Sequence, residues 1–434
     1  MLKYSSRILF LCCFALSWAH DYVPGEPQKC PILLRGGDLH TVTQGVLKNT
    51  DLLFEQGRIT QIGQNLKTPE GTKIIDITGK QVYPGLIAAF SVLGLLEIGA
   101  VRATSDIEEV GGITPEVQSY VAYNPDSEII PTIRSNGITT VLLVPQGDSL
   151  SGRSSLMNLD GWTIEDAMEK RNVGLHLTWP PISPQKYWWI EKTEEEKNQE
   201  NAKKLKVVTQ TFDLAKRYFQ AKQANPLLDK DSRWEAMLPI FTQEMPVFIY
   251  AEDLRQIEMA IDFAQEYKIR MILVGGYDSW KIASRLKENK IPVILRRALS
   301  LPRSEDDDYD LPYHLPKLLT DAGVQYCISF AGDDGPPWWD IRNLPFMAGY
   351  AVAFGLTPEE ALTAITLAPA QILGVERDLG SLDVGKKATL VISEGDILDP
   401  ITHQICLEFI EGRKVDLNNR QKELYQKYQQ KKSD

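Results

Sequence analysis

Residues 355–392 read GLTPEEALTAITLAPAQILGVERDLGSLDVGKKATLVI, and the order of signals in this stretch decides the fold. Thr357 is a helix cap, Pro358 suits a first turn that needs no amide hydrogen, and Glu360 stands where its carboxylate reaches back to the cap. A second helix end follows, and the segment closes on ATLVIS from Ala388, a short β-rich run. A strand that follows two helices so late in the chain needs a partner, and the other end of the chain supplies one.

From Ile32 to Ile77 the sequence carries ILLRGG, DLLFEQGRITQIGQ and KIIDI, with a hairpin signal at Gln56 and Gly57. A matching set returns in ATLVIS and in ICLEFIEGRKVDL from Ile405, turning at Gly412. Neither set buries a core alone, so the two ends are expected to pair into one small β-sandwich.

Between the ends the pattern changes. VYPGLIAAF, GITTVLLVP, VGLHLTW, PVFIYAE, RMILVGG, PVILRR and VQYCISF are short β-rich runs, and helical spacing follows several of them. Leu254, Ile257, Ile261 and Ala264 share one helix face behind an Asp253/Gln256 capping pair. Repeated strand–helix units of this length predict a parallel sheet closed on itself. The expected fold is a distorted (β/α)8 TIM barrel over residues 81–379, with a composite β-sandwich from 30–80 plus 380–418. Two insertions interrupt it: a loop-like stretch at 93–135, and a charged helix at 193–224 whose stripe is Leu205, Val208, Phe212, Ala215 and Phe219. Residues 420–434 form a polar tail, a solvated helix or a disordered end.

The 434 residues suit one barrel plus a companion module, and 43% apolar with 24% charged residues is a globular composition. Lys3 and Arg7 precede an apolar run from Ile8 to Leu16, and Ser17 and Ala19 fit the small-residue positions of a cleavage site. Residues 1–19 therefore read as a secretory signal, with export to the periplasm or the outside and a mature start at His20. No later stretch is apolar enough to insert in a bilayer. A net charge of −11 argues against nucleic acid as a partner. Cys30, Cys327 and Cys406 remain after the signal, in no metal-binding spacing. Cys30 and Cys406 fall in the composite module and could pair.

Three segments together resemble the metal-dependent amidohydrolases, in particular their imidazolonepropionase-like branch: IIDITGKQVYPGLIAAFSVLGL at 74–95, the strands before it, and 355–392. The resemblance implies hydrolysis of carbon–nitrogen bonds in amides, cyclic amides or peptides at a metal centre. It also implies His-x-His shortly after the Pro-Gly of the first barrel strand. Here those positions hold Phe90 and Val92, which donate nothing to a cation. In the same frame His176 stands near the place of the third-strand lysine, Tyr250 at the fifth-strand histidine and Gly275 at the sixth-strand histidine. Asp333 is the match to the eighth-strand acid, with Asp334 beside it. So few donors cannot hold an ion and leave an open position. No metal cofactor is expected; zinc or a related divalent ion would follow only from a different strand frame.

Barrel sites form just after the strands. Asp333 and His176 are the candidate acid and base, and Arg153, Ser151, Tyr250, Glu252, Asp334 and Arg342 the candidate ligand-binding residues. Trp338 and Trp339 could wall a pocket. The loop 146–161, QGDSLSGRSSLMNLDG, is read as a polar βα-loop that presents Arg153 to a substrate carboxylate. The leading expectation is a degenerate amidohydrolase that binds a small amide, amino acid or peptide with weak or absent catalysis. The alternatives are a metal-independent hydrolase using Asp333 and His176, and a non-catalytic subunit that forms a homo-oligomer or joins an active relative.

Overall fold

Five strands open the chain: β1 (Ile32–His40), β2 (Val46–Glu55), β3 (Arg58–Gly63), β4 (Lys73–Asp76) and β5 (Gln81–Pro84). The turn between β2 and β3 uses Gln56 (φ 51°) and Gly57 (φ 75°), the left-handed pair that matches the twist of a tight hairpin. The central wall follows: β6 (Leu86–Ser91), β7 (Ile138–Leu143), β8 (Leu150–Arg153), β9 (Ser155–Asn158), β10 (Met168–Lys170), β11 (Leu175–Thr178), β12 (Val247–Ala251), β13 (Met271–Gly275), β14 (Val293–Arg296) and β15 (Tyr326–Ala331). The chain returns through β16 (Leu390–Ser393), β17 (Ile405–Ile410) and β18 (Arg413–Lys414). The structure, a computed structural model, describes residues 22–181, 193–331 and 338–431. Residues 1–19, the expected signal, therefore lie outside the described residues.

The two ends join as the sequence predicts, because β16 pairs antiparallel with β5 and extends the order β18-β17-β16-β5-β1-β2-β3, with β4 against β1. Leu34 and Phe54 from one end share a core with Leu390, Ile392 and Phe409 from the other. Phe54 and Phe409 meet edge to face at 5.1 Å. The turn glycines abut as well: a Cβ on Gly57 would stand 2.8 Å from the Glu411 carbonyl, and one on Gly412 would stand 2.9 Å from the Gly57 Cα. Cys30 and Cys406 are both free thiols, so the pairing considered for them does not form. Cys406 Sγ instead lies 3.4 Å from the Ile392 carbonyl oxygen.

The fold is a distorted (β/α)8 barrel. β6 and β7 are parallel, and β11 to β15 run parallel to one another. Between β7 and β11 stands the broken strand β8–β9, antiparallel to both. This corrects the reading of 146–161 as a polar loop. Leu150, Leu156 and Met157 are buried, and the short apolar residues among the serines and glycines make wall, not rim. Closure from β15 to β6 runs through the chain at Ala364 and Ile365, whose carbonyls accept from the Ile328 and Ile87 amides at 3.0 Å each.

Period two sets what each strand faces. Ile87, Ala89, Leu142, Phe248, Ile272, Val274, Ile294 and Cys327 form one cluster in the lumen, while their neighbours Leu86, Ala88, Val141, Leu143, Val247, Ile249, Leu273, Val293 and Ile328 pack outward against helices. The inserted helix Glu194–Ala224 is present, and Val208, Phe212 and Ala215 of its stripe are buried. The stretch 93–135 holds only short helices, among them Ile130–Arg134. The tail forms a helix, Arg420–Gln430, with no buried residue. It is tethered where Asn419 donates to Ser135 Oγ (2.9 Å) and Thr132 Oγ1 donates to Gln421 (2.7 Å).

A fully buried ion pair of the barrel is joined by Arg413 of the sandwich. Arg134 and Asp160 lie 3.2 Å apart at 0% exposure each, and Arg413 approaches the second Asp160 oxygen at 3.5 Å. The Tyr22 hydroxyl hydrogen-bonds both members of the pair, and the Gly25 amide donates to Asp160 at 3.2 Å. Removing one partner of such a pair strands a buried charge, which costs roughly 3–5 kcal/mol. Asp160→Asn should lose about that much in urea unfolding, and a loss below about 1 kcal/mol would show that the pair is dispensable.

Candidate functional site

The C-terminal ends of the parallel strands surround a cavity of about 210 Å³ lined by Trp179, Tyr250, Glu252, Gln256, Gly275 and Arg303, among others. Glu252 follows β12 and ends 8% exposed, a position that demands compensation for its charge. Its Oε2 accepts from the Tyr277 amide at 2.9 Å. Arg296, the last residue of β14, stands 3.5 Å from Oε1, and Arg303 stands 3.6 Å from Oε2. The backbone there is also pinned: Gln256 accepts from the Glu252 amide at 2.8 Å and donates to the Trp179 carbonyl at 2.6 Å. Gln256 holds this place because it is the third residue of the helix capped by Asp253, Leu254–Tyr267.

Gly275 ends β13 with φ +91°. A Cβ there would stand 2.7 Å from Glu252 Oε1 and 2.8 Å from its Cδ. The Glu252 carboxylate thus fills the space that a side chain at 275 would need, and the missing side chain and the buried acid are two halves of one arrangement.

One layer deeper, Phe90, His176 and Tyr250 meet in the lumen. His176 Nδ1 and the Tyr250 hydroxyl are 2.7 Å apart. The imidazole stacks on Phe248 at 4.6 Å and 14°, and Phe90 meets the Tyr250 ring edge to face at 5.6 Å. His176 is 0% exposed, and burial pushes its pKa from 6.5 down to about 3. Burial also raises Tyr250 well above its usual range, so the pair is neutral at physiological pH. Folded His176 stays unprotonated while the unfolded chain takes up a proton below about pH 6.5, so this histidine costs stability as pH falls from there towards 3. The slope approaches about 1.4 kcal/mol per pH unit. His176→Phe should remove that component: its stability relative to the parent rises steadily between pH 6.5 and 4, on top of a constant loss of the Tyr250 bond. A difference independent of pH would contradict the buried, neutral assignment.

Ser151 and Arg153 lie on β8. Arg153 donates to the Glu116 carbonyl at 3.0 Å, so its guanidinium is spent on the 93–135 insertion, and it does not line the cavity. That corrects its assignment to a substrate-facing loop. Arg342, in the turn Asp340–Asn343, accepts from Asn136 at 2.9 Å through its carbonyl and is likewise absent from the cavity wall. Trp338 packs against the group formed by Val92, Leu95 and Leu96. Asp333 and Asp334 lie outside the described residues. Arg296 and Arg303 were missed. Two arginines directly after the apolar run PVIL were legible by the strand-end rule, whereas Arg303 follows in a loop with no such mark.

At the positions where the resemblance implies metal ligands, the described residues offer few donors. Phe90 offers a phenyl ring and Val92 an isopropyl group, Tyr250 is engaged with His176, and Gly275 has no side chain. Among the described residues no three histidines, cysteines or carboxylates come close enough to share an ion. Imidazole and carboxylate donors are what such ions require.

Residues 258–418 match the sequence profile described as the amidohydrolase family. An amidohydrolase of Hapsidospora irregularis is 22% identical over 424 residues, covering 88% of this chain, which spans only 41% of that protein's length. The imidazolonepropionase of Alkaliphilus metalliredigens is 22% identical over 87% of this chain and 91% of its own. A dihydroorotase of Citrifermentans bemidjiense is 43% identical, but over 56 residues, 13% of each chain. Among solved structures, an amidohydrolase from Thermotoga maritima superposes with a TM-score of 0.78 at 25% identity, over 89% of this chain and 99% of its own.

Proposed function

We propose that this chain, which belongs to the amidohydrolase superfamily, binds a small amide, amino acid or short peptide at the C-terminal mouth of its barrel and hydrolyses it weakly or not at all. The observation that carries this reading is the exchange at the mouth: the Glu252 carboxylate, braced by Arg296, Arg303 and the Tyr277 amide, occupies the volume of a side chain at Gly275. A cavity of about 210 Å³ suits a ligand of a few residues at most. Glu252 can accept from a ligand ammonium or amide, while Trp179 and Tyr250 supply apolar wall. The chain is proposed to act after export, cleaved before His20, without a tightly bound metal, as a homo-oligomer or beside a related subunit.

Elemental analysis of the dialysed mature protein should find well under one equivalent of zinc, nickel, manganese or iron. A panel of dipeptides, cyclic amides and imidazolones should contain ligands that raise the melting temperature, with about 2.7 kcal/mol of stabilisation expected at a hundredfold excess over Kd. Glu252→Gln should abolish that rise. Stoichiometric metal, or rapid metal-dependent turnover, would refute the proposal.

A further inference from the structure

A second cavity lies at the other end of the barrel. It measures about 450 Å³ and opens under the N-terminal ends of β12 to β15, where Pro246, Arg270, Pro292 and Gln325 each precede a strand. Catalytic groups of barrels gather at the opposite face, so the established pattern of the fold gives this cavity no role. Its floor is aliphatic and reaches Ile272 of the lumen cluster.

The charge of the wall is one-sided. Lys268, Arg270 and Lys290 line it and, among the described residues, no carboxylate does, in a chain whose net charge is −11. Among the described residues none of the three stands within ion-pair distance of an acid, although Glu266 and Glu288 are exposed on the adjoining turns. Arg270 is held in place by its bond to the Gln243 carbonyl at 3.2 Å. Both lysines occupy left-handed positions, φ 56° and 53°, where a long side chain costs about 1 kcal/mol that glycine would not. Helix C-termini welcome cations, which explains one lysine at each end but not their convergence with Arg270 on one concavity. The Arg270 charge also bears on Lys170, which donates to the Leu373 carbonyl at 2.8 Å and whose pKa is lowered first by burial and then by Arg270. The remaining polar wall is amide: Gln265 donates to Asn289 at 2.6 Å and Gln325 to Gln371 at 3.2 Å, so the concavity is braced in the absence of ligand.

We propose that this basal cavity binds a small multivalent organic anion, phosphorylated or polycarboxylated, through Lys268, Arg270 and Lys290. Lys268, Arg270 and Lys290 are all exposed, and three cations converging on one concavity attract such a charge more strongly than an isolated surface lysine because their fields add. Among the described residues no aromatic ring lines the cavity, which argues against a base-stacked nucleotide.

Calorimetry of the mature protein at low ionic strength, with inorganic pyrophosphate, with citrate and with acetate as the monovalent comparison, tests this. Pyrophosphate or citrate should bind and acetate should not, and whichever binds more tightly identifies the anion type. The triple variant Lys268→Gln, Arg270→Gln, Lys290→Gln should weaken binding at least about tenfold, and added salt should weaken it in the parent. Lys290→Gln alone breaks no side-chain hydrogen bond among the described residues, so it reports even if the triple variant folds poorly, and it should weaken binding about threefold. No heat with either multivalent anion, or unchanged affinity in both variants, overturns the proposal.

Discussion

Gly275→His should destabilise the protein by about 2–5 kcal/mol and should capture no metal. Position 275 is where a histidine is expected from the resemblance, so the substitution is the obvious repair. The backbone refuses it first: φ is +91°, a conformation that costs a residue with a Cβ about 1–2 kcal/mol. Space refuses it next, since the new Cβ would stand 2.7 Å from Glu252 Oε1. The carboxylate must then leave Tyr277, Arg296 and Arg303, and a buried acid parted from such partners costs roughly 1–3 kcal/mol more. A double-mutant cycle separates the terms. With Glu252→Ala in the background, the penalty of Gly275→Ala should shrink to the backbone strain alone, about 1–2 kcal/mol. Additive penalties would mean that the carboxylate and position 275 do not compete for one space.

Phe90→His combined with Val92→His should likewise fail to restore hydrolysis while costing about 3–6 kcal/mol of stability. Phe90 is 2% exposed and packs edge to face on Tyr250, so an imidazole there loses apolar burial and gains a ring nitrogen with no prepared partner. Val92 is 0% exposed among Leu95 and Leu96, with Ile107 and Trp338 behind them, and a histidine overfills that site. Two introduced imidazoles still face Tyr250 tied to His176 and a glycine at 275. Even where an ion is captured, unoriented ligands commonly lose 10- to 100-fold, about 1.4–2.7 kcal/mol. Metal-supplemented turnover on dipeptides, cyclic amides and imidazolones, with unfolding followed in parallel, reads the result. Robust turnover in a stable double variant would confine the loss to one strand.

Much of the scaffold was legible because its signals are local. The capping pairs at Asp253/Gln256 and Thr357/Glu360 act over three residues, and both form in the fold. The hairpin at Gln56 and Gly57 needs only two left-handed residues in sequence. The stretch 146–161 misled because serine and glycine content marks loops on average, while what makes β8–β9 a wall strand is the gap between β7 and β11 that it fills. For the same reason Arg153, which looks free in sequence, turns to the Glu116 carbonyl of an insertion over thirty residues away.

By itself, the sequence determined the barrel with its two-ended sandwich and the identities of Phe90 and Val92 after its Pro-Gly, since strand period, caps and residue identities need no partner to be read. Only the tertiary structure decided what surrounds position 275. Glu252, Gly275 and the segment carrying Arg296 and Arg303 come from three separate places in the chain, and their relation is one of shared volume and opposed charge, which exists only once the strands stand side by side. The same holds for His176: its identity was plain, but burial against Phe248 and Tyr250, which fixes it as neutral, is a property of the closed lumen and not of any stretch of residues.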